Sequence, residues 1–467
     1  MAGGAFRSLA IDRQSRTPAF VQIYKHLRHA IASGRIDRAT RLPSTRSFAR
    51  ELGVSRTTVI VAYEHLIADG YAEGRRGSAV FACGIGADAR ISREEPNDVT
   101  LPREQEPVRI FCPETPDMAL FPHKTWARAV ATSARRRPSA PAAAPLFGDV
   151  SLRERVARHL YELHDLPVSP AQVVITSGPG DAFNCILRAM TRAGDRIALE
   201  RPGPVQLHNH ALALGLVPAW LDSVGDGVGL PPLAGPVPVL TVISPAHHFP
   251  IGGTMPLDRR RQFLQRAQET SGWIVEDNSN SEFQYEGSPL PPLAGLSRLE
   301  RVIHIGSFSR VFSQGLRLGY LVVPSPLIGR FAASILAFDQ AAPLIQQHPL
   351  AMMMNDGSFD QFLRHLRTTY AGRRSRFLAR LKDVIGPMAE ILDSNAGTEI
   401  SLRLPAHLRD HAVVEAANKR GLFCRALSSY CPAPPPTSGL VLGCCGAPQL
   451  PVDDGLAILR DILGSRI

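Results

Sequence analysis

The sequence predicts a multi-domain chain: a small N-terminal α+β unit of three helices and a β-hairpin, a connector, and a large α/β unit with a smaller α/β part at its C-terminal end. Three observations lead there. Residues 1–84 hold 13 Lys/Arg against 6 Asp/Glu, a surplus of seven in a chain of formal net charge +10. Residues 83–115 mix Gly, Asp, Arg, Glu and Pro with almost no hydrophobic periodicity, the pattern of a flexible tether. Beyond them, apolar runs alternate with amphipathic stretches, which argues for a mostly parallel sheet covered by helices. The expected divisions are therefore 1–82, 83–115 and 116–467, the last with a large part over about 135–340 and a small part over about 341–467.

The 467 residues suffice to bury several cores without staples. The seven cysteines (Cys83, Cys112, Cys185, Cys424, Cys431, Cys444, Cys445) are scattered, with no C-x-x-C spacing to hold a metal. That usage fits a reducing cytoplasm. Arg7, Asp12, Arg13 and Arg16 stand where a leader needs an apolar stretch, and no run approaches a membrane span. A basic block confined to one small folding unit is the footprint of a polyanion partner. Nucleic acid leads, although charge alone also permits an anionic membrane surface.

Within that block Ile23, Leu27 and Ile31 recur at helical spacing after Pro18, and Gly34 closes the segment. A second helix is expected from Ser44, whose hydroxyl can cap free amides, burying Phe48 and Leu52 before Gly53 breaks it. Gly53-Val54 makes a tight turn, and Ser55 caps a third helix that faces Val59, Tyr63 and Leu66 inward. This leaves Arg56, Thr57 and Thr58 projecting from its first turn. Residues 71–81 then read as two short strands around Gly74-Arg75-Arg76-Gly77, a turn carrying two cations. A helix-turn-helix sets the start of its second helix in the major groove, while cations and helix-start amides hold phosphates. Ser44, Arg46, Ser55, Arg56, Thr57, Thr58, Arg75, Arg76 and Gly77 are thus the candidate contacts to double-stranded DNA. Any one of these arginines is more often a solvated surface residue, and three helices with a hairpin also serve as protein-binding modules; the ordered combination is the specific signal.

Leu42-Pro43-Ser44-Thr45-Arg46, Leu52-Gly53-Val54-Ser55-Arg56-Thr57-Thr58-Val59, Ala62-Tyr63-Glu64 and Gly70-Tyr71 closely resemble the winged helix of GntR-type regulators over roughly residues 18–82. The wing departs from that family's Gly-Ser-Gly-Thr and reads Gly77-Ser78-Ala79-Val80.

In the large unit the strand candidates are 173–175, 196–199, 239–243, 273–275, 302–305 and 319–323. Ligands of such sheets settle beyond the carboxyl ends of the strands. Three polar clusters sit there. Thr176-Ser177-Gly178-Pro179-Gly180 opens a helix whose amides can hold a phosphate. Asp277 ends the run Trp273-Ile274-Val275-Glu276. Ser307-Phe308-Ser309-Arg310 is followed seven residues later by Arg317.

With Pro116-Asp117, Leu120-Phe121-Pro122, Trp126, Phe147-Gly148-Asp149, Ser244-Pro245-Ala246-His247-His248-Phe249-Pro250-Ile251-Gly252 and Ser281-Glu282-Phe283, their order resembles fold-type I pyridoxal-phosphate enzymes. It resembles in particular the aminotransferase-like domain of the MocR subfamily of GntR regulators, across about residues 108–465. The resemblance implies a homodimeric DNA-binding transcriptional regulator. It implies that Asp277 faces the ring nitrogen of pyridoxal phosphate, that Ser307, Ser309 and Arg317 hold its phosphate, and that Gly178 lies in the phosphate loop. It also places the family's Schiff-base lysine at Arg310.

Imine formation needs a neutral amine, which a guanidinium with a pKa above about 12 does not supply. The four lysines are Lys25, Lys124, Lys382 and Lys419, so none falls between 125 and 381. Two aromatic residues expected from the resemblance are replaced by Ser279 and Pro204, and nothing basic between Arg425 and Arg460 matches the arginine that grips substrate carboxylates. No catalytic residue and no metal are therefore expected, and the cofactor is held at most without a covalent link. Two readings of the pocket stay open. In one it is a remnant in a domain kept for folding and dimerisation, with Asp277 capping the turn at 278–280. In the other it senses a small anionic effector, with Arg310 as an extra cation. The rival functions are an active aminotransferase with an appended DNA-binding domain, which Arg310 opposes, and a ligand-free structural dimerisation domain.

Overall fold

The computed structural model describes residues 9–15, 17–75, 79–83, 110–136, 145–224, 227–233, 235–279, 281–285, 290–392, 396–432, 438–446 and 452–465. The chain divides into two compact units, Met1–Glu104 and Gln105–Ile467. In the first, α1 (Ala19–Ala32), α2 (Thr45–Leu52) and α3 (Arg56–Ala68) enclose Ile23, Leu27, Ile31, Phe48, Val59, Tyr63 and Leu66. Ser44 and Ser55 cap α2 and α3, each hydroxyl accepting a backbone N–H three residues on at 3.1 Å. Between them Gly53 sits at φ 63°, a left-handed turn that residues with a Cβ adopt only under strain. The strands β1 (Ala72–Arg75) and β2 (Ala79–Ala82) pair antiparallel. The Leu42 N–H donates to the Val80 carbonyl and the Tyr63 hydroxyl to the Pro43 carbonyl, both at 2.9 Å, so hairpin and α3 are tied to the segment leading into α2.

The second unit begins with α4 (His123–Arg136) and α5 (Val150–His164). It continues through β3 (Val173–Thr176), α6 (Pro179–Met190), β4 (Arg196–Arg201), α7 (Val205–Ala213), β5 (Val217–Asp222), β6 (Leu240–Ile243) and α8 (Leu257–Thr270). Next come β7 (Trp273–Asp277), α9 (Leu293–Leu296), β8 (Val302–Ser307), β9 (Gly319–Val322), α10 (Ile328–Phe338) and α11 (Gln347–Asn355). The long α12 (Ser358–Val384) leads to the small part: β10 (Glu390–Leu392), β11 (Glu399–Arg403), α13 (Asp410–Lys419), β12 (Arg425–Ala426), β13 (Gly439–Gly443) and α14 (Val452–Gly464).

The seven-stranded sheet has the order β3-β9-β8-β7-β6-β4-β5, and the small sheet the order β10-β11-β13-β12. Only β9 runs against its neighbours in the large sheet; the other pairs are parallel. Alternate residues serve opposite faces, as the period of a strand requires. Ile197, Leu199, Val275, Ile303 and Leu321 join Phe183 and Ile186 of α6 and Phe331 of α10. Ala198, Ile243, Ile274, Val302 and Val322 join Val156 and Leu160 of α5 and Leu363 of α12. All six expected strands are present. The strand candidates did not include the edge strand β5 or the individual strands of the small sheet, although a smaller α/β part was expected there.

The expected connector at 83–115 is corrected at its C-terminal end. Ile110 and Phe111 are 4% and 5% exposed, and burying two such side chains is worth roughly 3–6 kcal/mol, which anchors the segment. It lies on the small part: the Phe423 N–H donates to the Ile110 carbonyl and the Gly443 N–H to the Phe111 carbonyl. Charged and proline residues around these two hid their apolar contribution. Among the described residues, no helix is long and apolar enough to cross a membrane.

Candidate nucleic-acid interface and anion cavity

At the α2–α3 turn, Ser44, Arg46, Ser55, Arg56 and Thr57 are exposed. Thr58 is half-buried with its hydroxyl 2.8 Å from that of Ser55, so it completes the cap. Arg56 Nε donates to Thr45 Oγ1 at 3.3 Å, which joins the starts of the two helices. Arg75 ends β1; its side chain, with Arg76 and Gly77, lies outside the described residues. Sequence reasoning missed Arg13, whose guanidinium donates to the Gly53 carbonyl at 3.1 Å. Gln22 holds the neighbouring Asp12 through its backbone N–H and carbonyl, each at 3.0 Å. The signal for this arm was slight: Leu9 and Ile11 alternate and pack on the core.

The second site follows from the wiring of the sheet. Because β9 runs antiparallel between β3 and β8, its first residue, Gly319, pairs with both Thr176 and Ser307. A Cβ at Gly319 would lie 3.1 Å from Thr176 Oγ1 and 3.2 Å from the Gly178 carbonyl carbon, so a side chain there would push the loop back by a few tenths of an ångström. Gly178 itself has φ 93°. Gly178, Gly180, Ser307, Ser309, Arg310 and Arg317 consequently line one cavity of about 490 Å³. The Ser309 N–H donates to Ser307 Oγ at 3.1 Å. Arg317 is exposed, with a left-handed φ of 44° and no ion-pair partner among the described residues. Asp277 stands apart from this cavity. It lines adjoining hollows of about 200 and 80 Å³ with Phe183, Pro204 and Ser244, and it accepts the Ser279 N–H at 3.0 Å.

The structure corrects the expectation of Arg310 as a spare cation. Its Nη2 lies 2.8 Å from Glu114 Oε1 and its Nη1 3.1 Å from Glu399 Oε1. Burial works against its charge, but the two carboxylates outweigh burial and hold the guanidinium above its ordinary pKa. Its carbon centre also lies 5.4 Å from the Phe249 ring centroid. Arg425, which the sequence did not single out, lines the same cavity and reaches Glu114 Oε2 at 3.4 Å. Beside this cluster the buried His247 finds no hydrogen-bond partner among the described residues, and burial, with Arg374 adding to it, pushes its pKa down to about 3.

Residues 20–81 match the family described as bacterial regulatory proteins, gntR family, and residues 237–435 match aminotransferase class I and II. The probable rhizopine catabolism regulatory protein MocR of Rhizobium meliloti is 30% identical over 97% of this chain and 95% of its own. The HTH-type pyridoxine biosynthesis transcriptional regulator PdxR of Corynebacterium glutamicum is 32% identical over 93% of this chain and 94% of its own. Among solved structures, an archaeal alanine:glyoxylate aminotransferase superposes with TM-score 0.71 at 22% identity, covering 77% of this chain and 91% of that one. The α-aminoadipate aminotransferase LysN of Thermus thermophilus gives 0.69 at 21%, covering 76% and 92%. These two likenesses show the fold alone. Fold and relatives together define a DNA-binding transcriptional regulator in which a winged helix is joined to an aminotransferase-like domain. The chain belongs to the MocR subfamily of GntR-type regulators.

Pyridoxal phosphate is the group that the aminotransferase class implies. For its phosphate the residues fit: two serine hydroxyls, Arg317 and the start of α6 converge on one cavity. For its aldehyde they do not, because the side chain next to that cup is a guanidinium already held by two carboxylates.

Proposed function

We propose that the chain works as a homodimer that sets α3 of each winged helix into the major groove of a duplex operator, and that its aminotransferase-like unit senses a small phosphate-bearing anion without performing transamination. The observation that supports the first part is the serine-capped turn at Gly53. It leaves Arg46 and Arg56 exposed within residues 1–84, which carry a surplus of seven positive charges. Operator fragments recovered by genome-wide binding would be titrated with Arg46→Ala and Arg56→Ala. A residue contacting bases costs on the order of 1–3 kcal/mol on removal, and unchanged affinity in both variants would remove the basis for the assignment.

The sensing part rests on Gly178, Ser307, Ser309 and Arg317 around one cavity. Pyridoxal phosphate is a candidate occupant, held by its phosphate, with Asp277 near its ring. Without a lysine between 125 and 381, no reducible covalent adduct is expected. Mass spectrometry after borohydride treatment with pyridoxal phosphate checks this, and a lysine-bound product would restore the enzyme reading. A dimer is supported by Leu336, Phe338 and Ile345, which are 70%, 51% and 75% exposed around the end of α10 and call for a covering surface. A ligand-free structural role is the second reading, favoured by the internal neutralisation of Arg310. Flat calorimetric titrations with phosphate and pyridoxal phosphate would favour it.

A further inference from the structure

Three arginines face the cavity: Arg310 and Arg317 on the connection between β8 and β9, and Arg425 on β12. Glu114 puts one carboxylate between two of them, with Oε1 2.8 Å from Arg310 and Oε2 3.4 Å from Arg425. It does so from a backbone with φ 63°, three residues after Phe111, which also has φ 63°. Non-glycine residues hold this conformation only where surrounding contacts impose it. Here the Glu114 N–H is fixed by Glu399 Oε1 at 2.8 Å. Glu399 itself is fully buried, and its Oε1 also receives Arg310 and the Thr398 hydroxyl. Arg310 therefore keeps one permanent carboxylate whatever Glu114 does. Glu114 supplies a second, and its bond to Arg425, a side chain 56% exposed, is the weaker end of the arrangement.

We propose, resting on the sensor reading above, that the Glu114 carboxylate is an internal stand-in for a ligand carboxylate, and that the cavity takes a small molecule carrying a phosphate at one end and a carboxylate at the other. The phosphate occupies the cup of Ser307, Ser309 and Arg317, and the carboxylate lies between Arg310 and Arg425. A ligand with a phosphate alone leaves Glu114 seated. One with both groups displaces it and removes the two side-chain ties by which Glu114 holds the backbone around it. That backbone lies near the start of the second unit, so the exchange of one carboxylate for another acts on the first described stretch of that unit. No bond is made or broken in the exchange, and the net charge around Arg310 is conserved.

The probes are ω-phosphonocarboxylates with one to four methylenes, each against the alkylphosphonate of equal length, titrated calorimetrically into the full chain. For at least one length the wild type is expected to bind the carboxylate-bearing member at least tenfold more tightly. Glu114→Gln widens that preference by a further tenfold while leaving alkylphosphonate affinity within twofold, and Arg425→Ala abolishes the preference. Glu114→Asp, too short to span both arginines, shifts it in the same direction as the glutamine variant should that variant fold poorly. Hydrogen exchange at 110–116 quickens when the carboxylate-bearing probe is bound and not with its alkyl counterpart. Equal binding of both probe classes to the wild type and to the Glu114 variants overturns this inference and leaves phosphate sensing standing. Binding of neither class to any variant overturns both.

Discussion

Arg310 is charged, and the two carboxylates beside it outweigh burial and raise its pKa further. A lysine at this position would inherit the same neighbours and stay protonated, which is the wrong state for attacking an aldehyde. We therefore expect Arg310→Lys alone to take up little covalent pyridoxal phosphate after borohydride. Arg310→Lys with Glu114→Gln should take up at least tenfold more, as read by peptide mass. His247 yields a second test. Its folded pKa of about 3 lies below the ordinary value near 6.5, so below pH 6.5 the unfolded chain binds a proton that the folded chain refuses. Stability is complete above that pH and falls by about 1.4 kcal/mol per unit as pH drops toward 3. Urea unfolding followed by tryptophan fluorescence should lose about 2 kcal/mol from this group between pH 6.5 and 5, and His247→Asn should flatten the trend. All three tryptophans, Trp126, Trp220 and Trp273, lie in the second unit, so the signal reports that unit. The sequence made the oddity of Arg310 visible, but its partners stand 196 and 89 residues away. No local pattern connects residues so far apart.

Helix ends were legible because their signals are local. A serine caps the helix it precedes, and Gly53 closes α2 through its own φ, whatever the distant chain does. Ser55→Ala should cost about 1 kcal/mol at the start of α3, and hydrogen exchange in α2 and α3 should speed up roughly fivefold. If exchange there were unaltered, the cap would not be holding the turn. Buried central strands were legible for a similar reason, as unbroken apolar runs. The strand β5 was not, because it lies at an edge and mixes exposed with buried positions. Ile110 and Phe111 were lost as well: two apolar residues in a hydrophilic stretch carry no periodicity, and only the sheet they meet shows their purpose.

Over the whole chain, charge and apolar exposure are distributed unevenly, and each has its own consequence. The basic first unit predicts DNA binding that weakens steeply with salt. Arg75→Ala should lower the slope of log affinity against log salt by about one, at similar cost for all sequences, if its guanidinium meets a phosphate. Leu336→Asp with Ile345→Asp should shift sedimentation from dimer to monomer. Operator affinity should fall with it, since two winged helices held together gain from binding at once. The antiparallel course of β9 has a consequence of another kind. It delivers positions 178, 307 and 317 to one place through backbone pairing alone, so drift that spares folding keeps these positions together but not the serine and arginine side chains that make them a cup. Glu114 and Arg425 arrive from outside the large sheet, and nothing in its geometry obliges them to meet. Their fate in descendants of this chain is what would separate a working receptor from a relic.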